Sequence, residues 1–150
     1  MSRPRLSITV RSPTVTDAPA IAVLLGVLGY PTDSTTVPDR LVRLNSFHSA
    51  LALVAVAEGA VVGVVTAQLF PSIHDDAPVA WLTTLVIATE LQGRGVGRQL
   101  VRAVEDWSRE GGAARISVTS GAHRLEAHGF YEGLGYAQTG VRLGRSLTPP

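Results

Sequence analysis

The sequence predicts a single α/β domain spanning 1–150, a central sheet covered by helices on both faces in three layers. Three observations carry that prediction. Strand-like and helix-like patterns interleave along the whole chain. The apolar run from Trp81 to Ile87 leads through the glycine-rich stretch Gln92-Gly93-Arg94-Gly95-Val96-Gly97 into a helical pattern. Neither internal repeats nor low-complexity tracts interrupt the alternation, and a chain of this length buries roughly two-thirds of its unfolded surface, enough for one core.

Leu6 to Arg11 alternates as a strand does, and Thr16-Asp17 then caps a helix whose apolar positions Ile21, Leu24, Leu25 and Leu28 follow a period of about 3.6. Gly29-Tyr30-Pro31 ends it. A second helical stretch is expected from Asp39 to about Ser46, between loops rich in Thr, Ser and Pro. Leu51 to Ala57 and Val61 to Phe70 are β-branched-rich and flank Glu58-Gly59, so they read as a hairpin. A polar connection, Pro71 to Pro78, precedes the buried strand Trp81–Ile87. The helix after the glycine stretch carries Val96, Leu100, Val104 and Trp107 on one face and stops at Gly111-Gly112. A strand from Arg115 to Thr119, a short helix from Leu125 to Leu134 with Gly135 just past its end, and a last strand or hairpin within Tyr136–Arg145 complete the expected order.

Composition narrows the chemistry. Net charge is +1 with pI near 8.3, and all 13 basic residues are arginines scattered along the chain, which disfavours nucleic acid as a partner. Cysteine is absent, so disulfides, thiolate metal sites and a cysteine nucleophile are excluded. The longest apolar runs, broken at Glu58-Gly59, are too short to span a bilayer, and Met1 to Arg5 lacks the pattern of a secretory leader. A soluble cytoplasmic protein without a membrane partner is expected.

The strand, glycine turn and helix around Gly93–Gly97 form an anion site in outline. Glycines accept positive φ and close approach, and the first turn of a helix offers unpaired amides at the positive end of its dipole. Each charge-assisted backbone bond contributes roughly 1.5–3 kcal/mol, so three or four would hold a diphosphate. Two common phosphate loops fail on specific residues. A Walker loop needs Gly-Lys-Ser/Thr, whereas Gly97 is followed by Arg98-Gln99; the dinucleotide fingerprint needs a third glycine where Arg98 stands and an acid at the end of the next strand.

Gln92, Gly95 and Gly97 instead match Gln/Arg-x-x-Gly-x-Gly/Ala, and Phe130-Tyr131-Glu132-Gly133-Leu134-Gly135-Tyr136 matches Phe-Tyr-x-x-x-Gly-Phe/Tyr at a compatible separation. In these two motifs, and in the helix from Asp17 to Pro31 with its Leu-Gly-Tyr-Pro exit, the chain resembles the GNAT superfamily of acyl-CoA-dependent N-acyltransferases over roughly residues 5 to 146. The resemblance implies a mixed, mostly antiparallel sheet. It also implies transfer of an acetyl group from acetyl-CoA to an amine of a small molecule or peptide, with no metal. Dimers are common in the family, so a homodimer is accessible.

By the same resemblance, Gln92, Gly93, Arg94, Gly95, Val96, Gly97 and Arg98 hold the CoA pyrophosphate, and backbone groups of Leu85, Val86 and Ile87 pair with the pantetheine arm, one N–H serving the thioester oxygen. Tyr131, beside Phe130, occupies the place of the tyrosine that protonates the departing thiolate; both are expected at the cofactor.

The amine must lose a proton at a cost of roughly 4–5 kcal/mol for an alkylammonium near pKa 10.4. Relatives often place a glutamate on the central strand, where this chain reads Trp81-Leu82-Thr83-Thr84-Leu85. Thr83 or Thr84 ordering a water that relays the proton, an acceptor amine already low in pKa, or His123 as a histidine base, are the alternatives, with His74, Asp75, Asp76, Glu90 and His128 behind them. His74-Asp75-Asp76 reads as a solvated loop. Arg124 stands where relatives carry an asparagine on the pantetheine. The missing acid also leaves room for a second reading, a non-catalytic acyl-CoA-binding module or sensor.

Overall fold

A computed structural model describes residues 4–119 and 125–149, which fall into two compact units, one ending at Val118 and the next beginning at Thr119. The first unit runs β1 (Ile8–Arg11), α1 (Ala18–Leu28), α2 (Val37–Asn45), β2 (Ala50–Ala57), β3 (Ala60–Phe70), β4 (Val79–Ile87), α3 (Val96–Glu110) and β5 (Arg115–Val118). The strands lie in sequence order; β1 to β4 pair antiparallel and β5 pairs parallel to β4. This is the mixed, mostly antiparallel sheet that was expected.

Side-chain alternation assigns the layers. Val54, Val64 and Val86 face Ile21, Leu24, Val37 and Leu41, so α1 and α2 cover one side of the sheet. Their neighbours in register, Gly63 and Ile87, face the other side, where α3 lies. A Cβ on Gly63 would stand 3.0 Å from Ile87 Cδ1, 3.0 Å from Leu100 Cδ1 and 3.2 Å from Val96 Cγ1. Glycine here lets the first turn of α3 settle onto β3 and β4. Val96, Leu100, Val101 and Val104 are all buried, and at roughly 1.5–3 kcal/mol each they fix where that helix begins.

The single turn of 3₁₀ helix leading into α1, Val15–Asp17, is closed by a side chain. Asp17 is buried, accepts from Thr14 N at 2.7 Å, and holds Arg11 of β1 in a bidentate pair at 2.7 and 2.9 Å. The Arg11 guanidinium, with the Thr14 amide, brings the Asp17 carboxyl down to about 2.

The second unit contains α4 (Leu125–Gly133). Its end is a Schellman motif: Gly135 takes φ 95°, its amide donates to Glu132 O at 3.0 Å, and Tyr136 N donates to Tyr131 O at 3.0 Å. Leu28-Gly29-Tyr30 closes α1 in the same way, with Tyr30 N on Leu25 O at 2.8 Å. The strand expected within Tyr136–Arg145 is not present; those residues have no regular structure and 137–145 are exposed. Gly140 and Gly144 weaken extended pairing, and a two-stranded ribbon without an apolar face to bury is marginal in water. The helices at Asp39 and at Leu125 are found, the former starting two residues early on Val37-Pro38, where proline suits the first turn.

Candidate functional site

The glycine turn follows directly from β4. A single turn of 3₁₀ helix, Thr89–Leu91, leads to extended Gln92, then Gly93 at φ 77° and Gly95 at φ 90°, the N-cap of α3. Both glycines are in the left-handed region, and neither Cβ position has an atom within 4 Å, so the turn is open above them. Gln92 anchors it by donating from Nε2 to Ile87 O at 3.3 Å. Arg94 N donates to Leu91 O at 3.3 Å, and Gln99 N closes the first helical bond to Gly95 O at 3.2 Å. The amides of Gly93, Gly95, Val96, Gly97 and Arg98 have no acceptor among the described residues. The N-cap of α1 is Asp17, whereas that of α3 is Gly95, and α3 has no acid in its first turn. Five donors at a helix start around open space suit a multiply charged anion.

The turn opens into a cleft of about 530 Å³ whose other wall is the segment entering β1. Arg5, Arg94, Arg98 and Arg102 line it, and Arg94 reaches across to donate to Pro4 O at 3.1 Å.

The second part of the site is the edge of β4. Pairing with β5 covers only Val79 to Leu82, opposite Arg115 to Val118, whereas pairing with β3 continues to Ile87. The register with β3 skips Thr83, a β-bulge at the point where the β5 partner ends. Ala88 N donates to Val62 O at 2.8 Å. Antiparallel alternation therefore turns the Val86 backbone toward β3 and those of Leu85 and Ile87 toward the edge that β5 leaves. Of the three residues expected to pair with an added chain, Leu85 and Ile87 present their amides to it and Val86 does not. The Ile87 carbonyl is engaged by Gln92, so the turn and the edge form one continuous surface.

At the bulge, the Thr83 and Thr66 hydroxyls share a hydrogen bond of 2.7 Å. Thr66 had no signal in sequence, because its partner lies on another strand. In the second unit, Tyr131 packs edge-on against Phe130 at 5.1 Å and Tyr136 at 5.6 Å between ring centroids. Tyr131 and Tyr136 are C3 and C″ of the Schellman motif, which explains the spacing Tyr-x-x-x-Gly-Tyr: the glycine turns the chain so that the second ring lies on the first.

The remaining base candidates separate. Asp75 is paired with Arg115 at 3.0 Å and His74 bonds Ser72 at 3.1 Å. Arg115 pairs with Val79 at the start of β4, about 20 Å along the strand from Leu85, so this loop is remote from the turn. Glu90 is exposed beside the turn and His128 is half-buried on α4. His123 and Arg124 lie outside the described residues. Among the described residues no three His, Cys, Asp or Glu side chains gather as a metal cage, and no helix is long and apolar enough to cross a membrane.

Residues 27–136 match the model of the acetyltransferase (GNAT) family, a span that includes both motifs. The chain is 29% identical over 135 residues to an aminoglycoside N(6')-acetyltransferase type 1 of Stenotrophomonas maltophilia, covering 87% of each chain. Among solved structures it is similar to a transcriptional regulator from Bacillus halodurans C-125, with TM-score 0.85 and 23% identity over 94% of this chain and 100% of that one. An aminoglycoside N-acetyltransferase in complex with CoA matches with TM-score 0.83 and 19% identity over 98% of this chain and 100% of that one. The two structural likenesses concern the fold.

Proposed function

The chain belongs to the acetyltransferase (GNAT) family and is an acetyl-CoA-dependent N-acetyltransferase, and we propose that its glycine turn and open β4 edge bind acetyl-CoA for transfer to a small-molecule amine. The observation that carries this reading is the continuity of the five open amides after Ile87 with the edge that β5 leaves after Leu82. The pyrophosphate lies on the amides of Gly93 and Gly95 to Arg98, with Arg94 beside them. The pantetheine takes the place of a strand next to β4 and pairs with the backbones of Leu85 and Ile87. Both units, 1–150, act as one catalytic domain; the matched family span crossing Thr119 supports that reading.

In the reaction the amine nitrogen bonds the thioester carbon and the carbon–sulfur bond breaks. The carbonyl oxygen gains charge in between, and an edge amide of β4 stabilises it. The acceptor ammonium must first lose a proton. The Thr66–Thr83 pair orders a water that relays it to bulk solvent, since one hydroxyl donates to the other and leaves lone pairs and one proton for the relay. Tyr131 returns a proton to the thiolate sulfur, its hydroxyl being the general acid. We place the reaction in the cytoplasm. Aminoglycosides are the first acceptors to assay, in view of the Stenotrophomonas relative.

Calorimetric titration with acetyl-CoA and CoA, followed by thiol release with a panel of aminoglycosides, polyamines and other small amines, tests the reading. Micromolar binding and turnover on at least one amine are expected. Tyr131→Phe should retain acetyl-CoA affinity and lose roughly 10²-fold in kcat. Absence of binding by the folded wild-type protein would remove the site, and binding without any turnover would favour the sensor.

A further inference from the structure

The geometry points to an acceptor that carries a single amino group on a flat, apolar body, an arylalkylamine, with its ring laid on Trp81 and its nitrogen beside Thr83. This inference rests on the proposed transfer from acetyl-CoA at the β4 edge and narrows the amine that receives the acetyl group.

α1 and α2 pack on Val54, Val64 and Val86, and the same face of the sheet continues beyond them. Alternation from Val64 brings Thr66, Gln68 and Phe70 of β3 to that face. Opposite them on β4 stand Trp81, facing Gln68, and Val79, facing Phe70. The bulge turns Thr83 to the same face, as its 2.7 Å bond to Thr66 requires. Phe70 lies edge-on against Trp81, with 6.4 Å between ring centroids and 68° between their planes, and such a T-shaped pair holds the indole in one orientation. Trp81 is two residues from Thr83, roughly 6–7 Å along the strand. Thr83 is in turn two residues from Leu85, whose amide lies on the edge that β5 leaves. A nitrogen at Thr83 therefore reaches a thioester on that edge while the rest of the acceptor lies over Trp81.

The platform carries no ionised side chain: Thr66, Gln68, Phe70, Trp81 and Thr83 are all neutral. Arg115, opposite Val79 at the far end, is paired with Asp75 at 3.0 Å. Aromatic surface with a few placed hydroxyl and amide groups is the usual lining of a site for a compact organic ligand. An acceptor with several ammonium groups would leave its extra charges against this surface without counter-ions, which is costly once water is displaced. A single amine gives up its charge in the reaction, and a surface without carboxylates does nothing to retain the ammonium form. That suits a strand on which Thr83 and Thr84 stand in place of an acid.

The test is thiol release from acetyl-CoA with 2-phenylethylamine, propylamine, spermidine and kanamycin, on the wild type, Trp81→Leu and Gln68→Glu, with acetyl-CoA affinity read by calorimetry. The wild type should show kcat/KM at least about tenfold higher for 2-phenylethylamine than for the other three. Trp81→Leu should raise KM for 2-phenylethylamine by about tenfold or more, while KM for propylamine and the Kd for acetyl-CoA each stay within about threefold. Gln68 is exposed, so the fold should tolerate Gln68→Glu, and the added carboxylate should raise the ratio of kcat/KM for spermidine over 2-phenylethylamine by about fivefold or more. A wild-type preference for kanamycin or spermidine, or an aryl preference unmoved by both substitutions, would overturn the platform and leave acetyl transfer standing. Absence of acetyl-CoA binding by the wild type would overturn both.

Discussion

Two helices of the first unit begin in opposite ways. At α1 the chain supplies its own anion: the buried Asp17 carboxylate occupies the helix start, tied to the Thr14 amide and paired with Arg11. At α3 the N-cap is Gly95, no acid follows in the first turn, and the amides from Gly93 to Arg98 that face the turn are left open. Both ends have the same dipole and the same orphan donors. One carries a carboxylate at its start, which ties the preceding turn to β1 and holds the fold; the other is reserved for a ligand and depends on buried Val96 and Leu100 for its position.

Making the second end resemble the first should have the largest effect. Gly95→Asp places a carboxylate where the diphosphate lies, and aspartate tolerates positive φ better than most residues, so the fold should persist. Acetyl-CoA affinity should fall at least about 100-fold, near 2.7 kcal/mol, as read by calorimetry; a change below threefold would show that the turn does not carry the diphosphate. The converse substitution, Asp17→Asn, should leave nucleotide affinity unchanged and lower stability by roughly 2 kcal/mol through loss of a charge-assisted network. Urea denaturation measures it.

Acid sharpens the same contrast. The folded Asp17 carboxyl, at about 2, lies below its ordinary 3.8, so its contribution is complete above about pH 4 and is lost as pH falls toward 2. With Arg11 40% exposed, solvent screening limits the loss to about 1–2 kcal/mol. Asp17→Asn should flatten that part of the stability profile; an unchanged acid limb would assign it to other carboxylates. Gly93→Ala should have the smallest effect, about 1 kcal/mol of backbone strain at φ 77°. Its Cβ meets open space, so affinity should change only a few-fold.

The elements that sequence reveals well are those specified by neighbours in the chain. The α3 stripe, the glycine turn and the Tyr131–Gly135–Tyr136 spacing each come from contacts within one turn or one loop, which is why the two motifs read clearly. The last strand, expected in Tyr136–Arg145, failed for the opposite reason, since a strand exists only through a partner elsewhere. Arg102 carried a usable signal, one helical turn from Arg98, whereas Arg5 did not. Arg5 and Arg98 are distant in sequence and meet only because α3 packs beside β1.

The residues by themselves determined the interleaved α/β order, the glycines with positive φ and the helix that starts on open amides, because these follow from local sterics and periodicity. Tertiary structure decided the rest. The bulge at Thr83, the end of β5 pairing at Leu82, the Thr66–Thr83 bond and the cleft shared by Arg5 and Arg102 all depend on register between strands and on how a helix seats against a sheet. Those contacts are set by packing over the whole core, and no short stretch of chain encodes them.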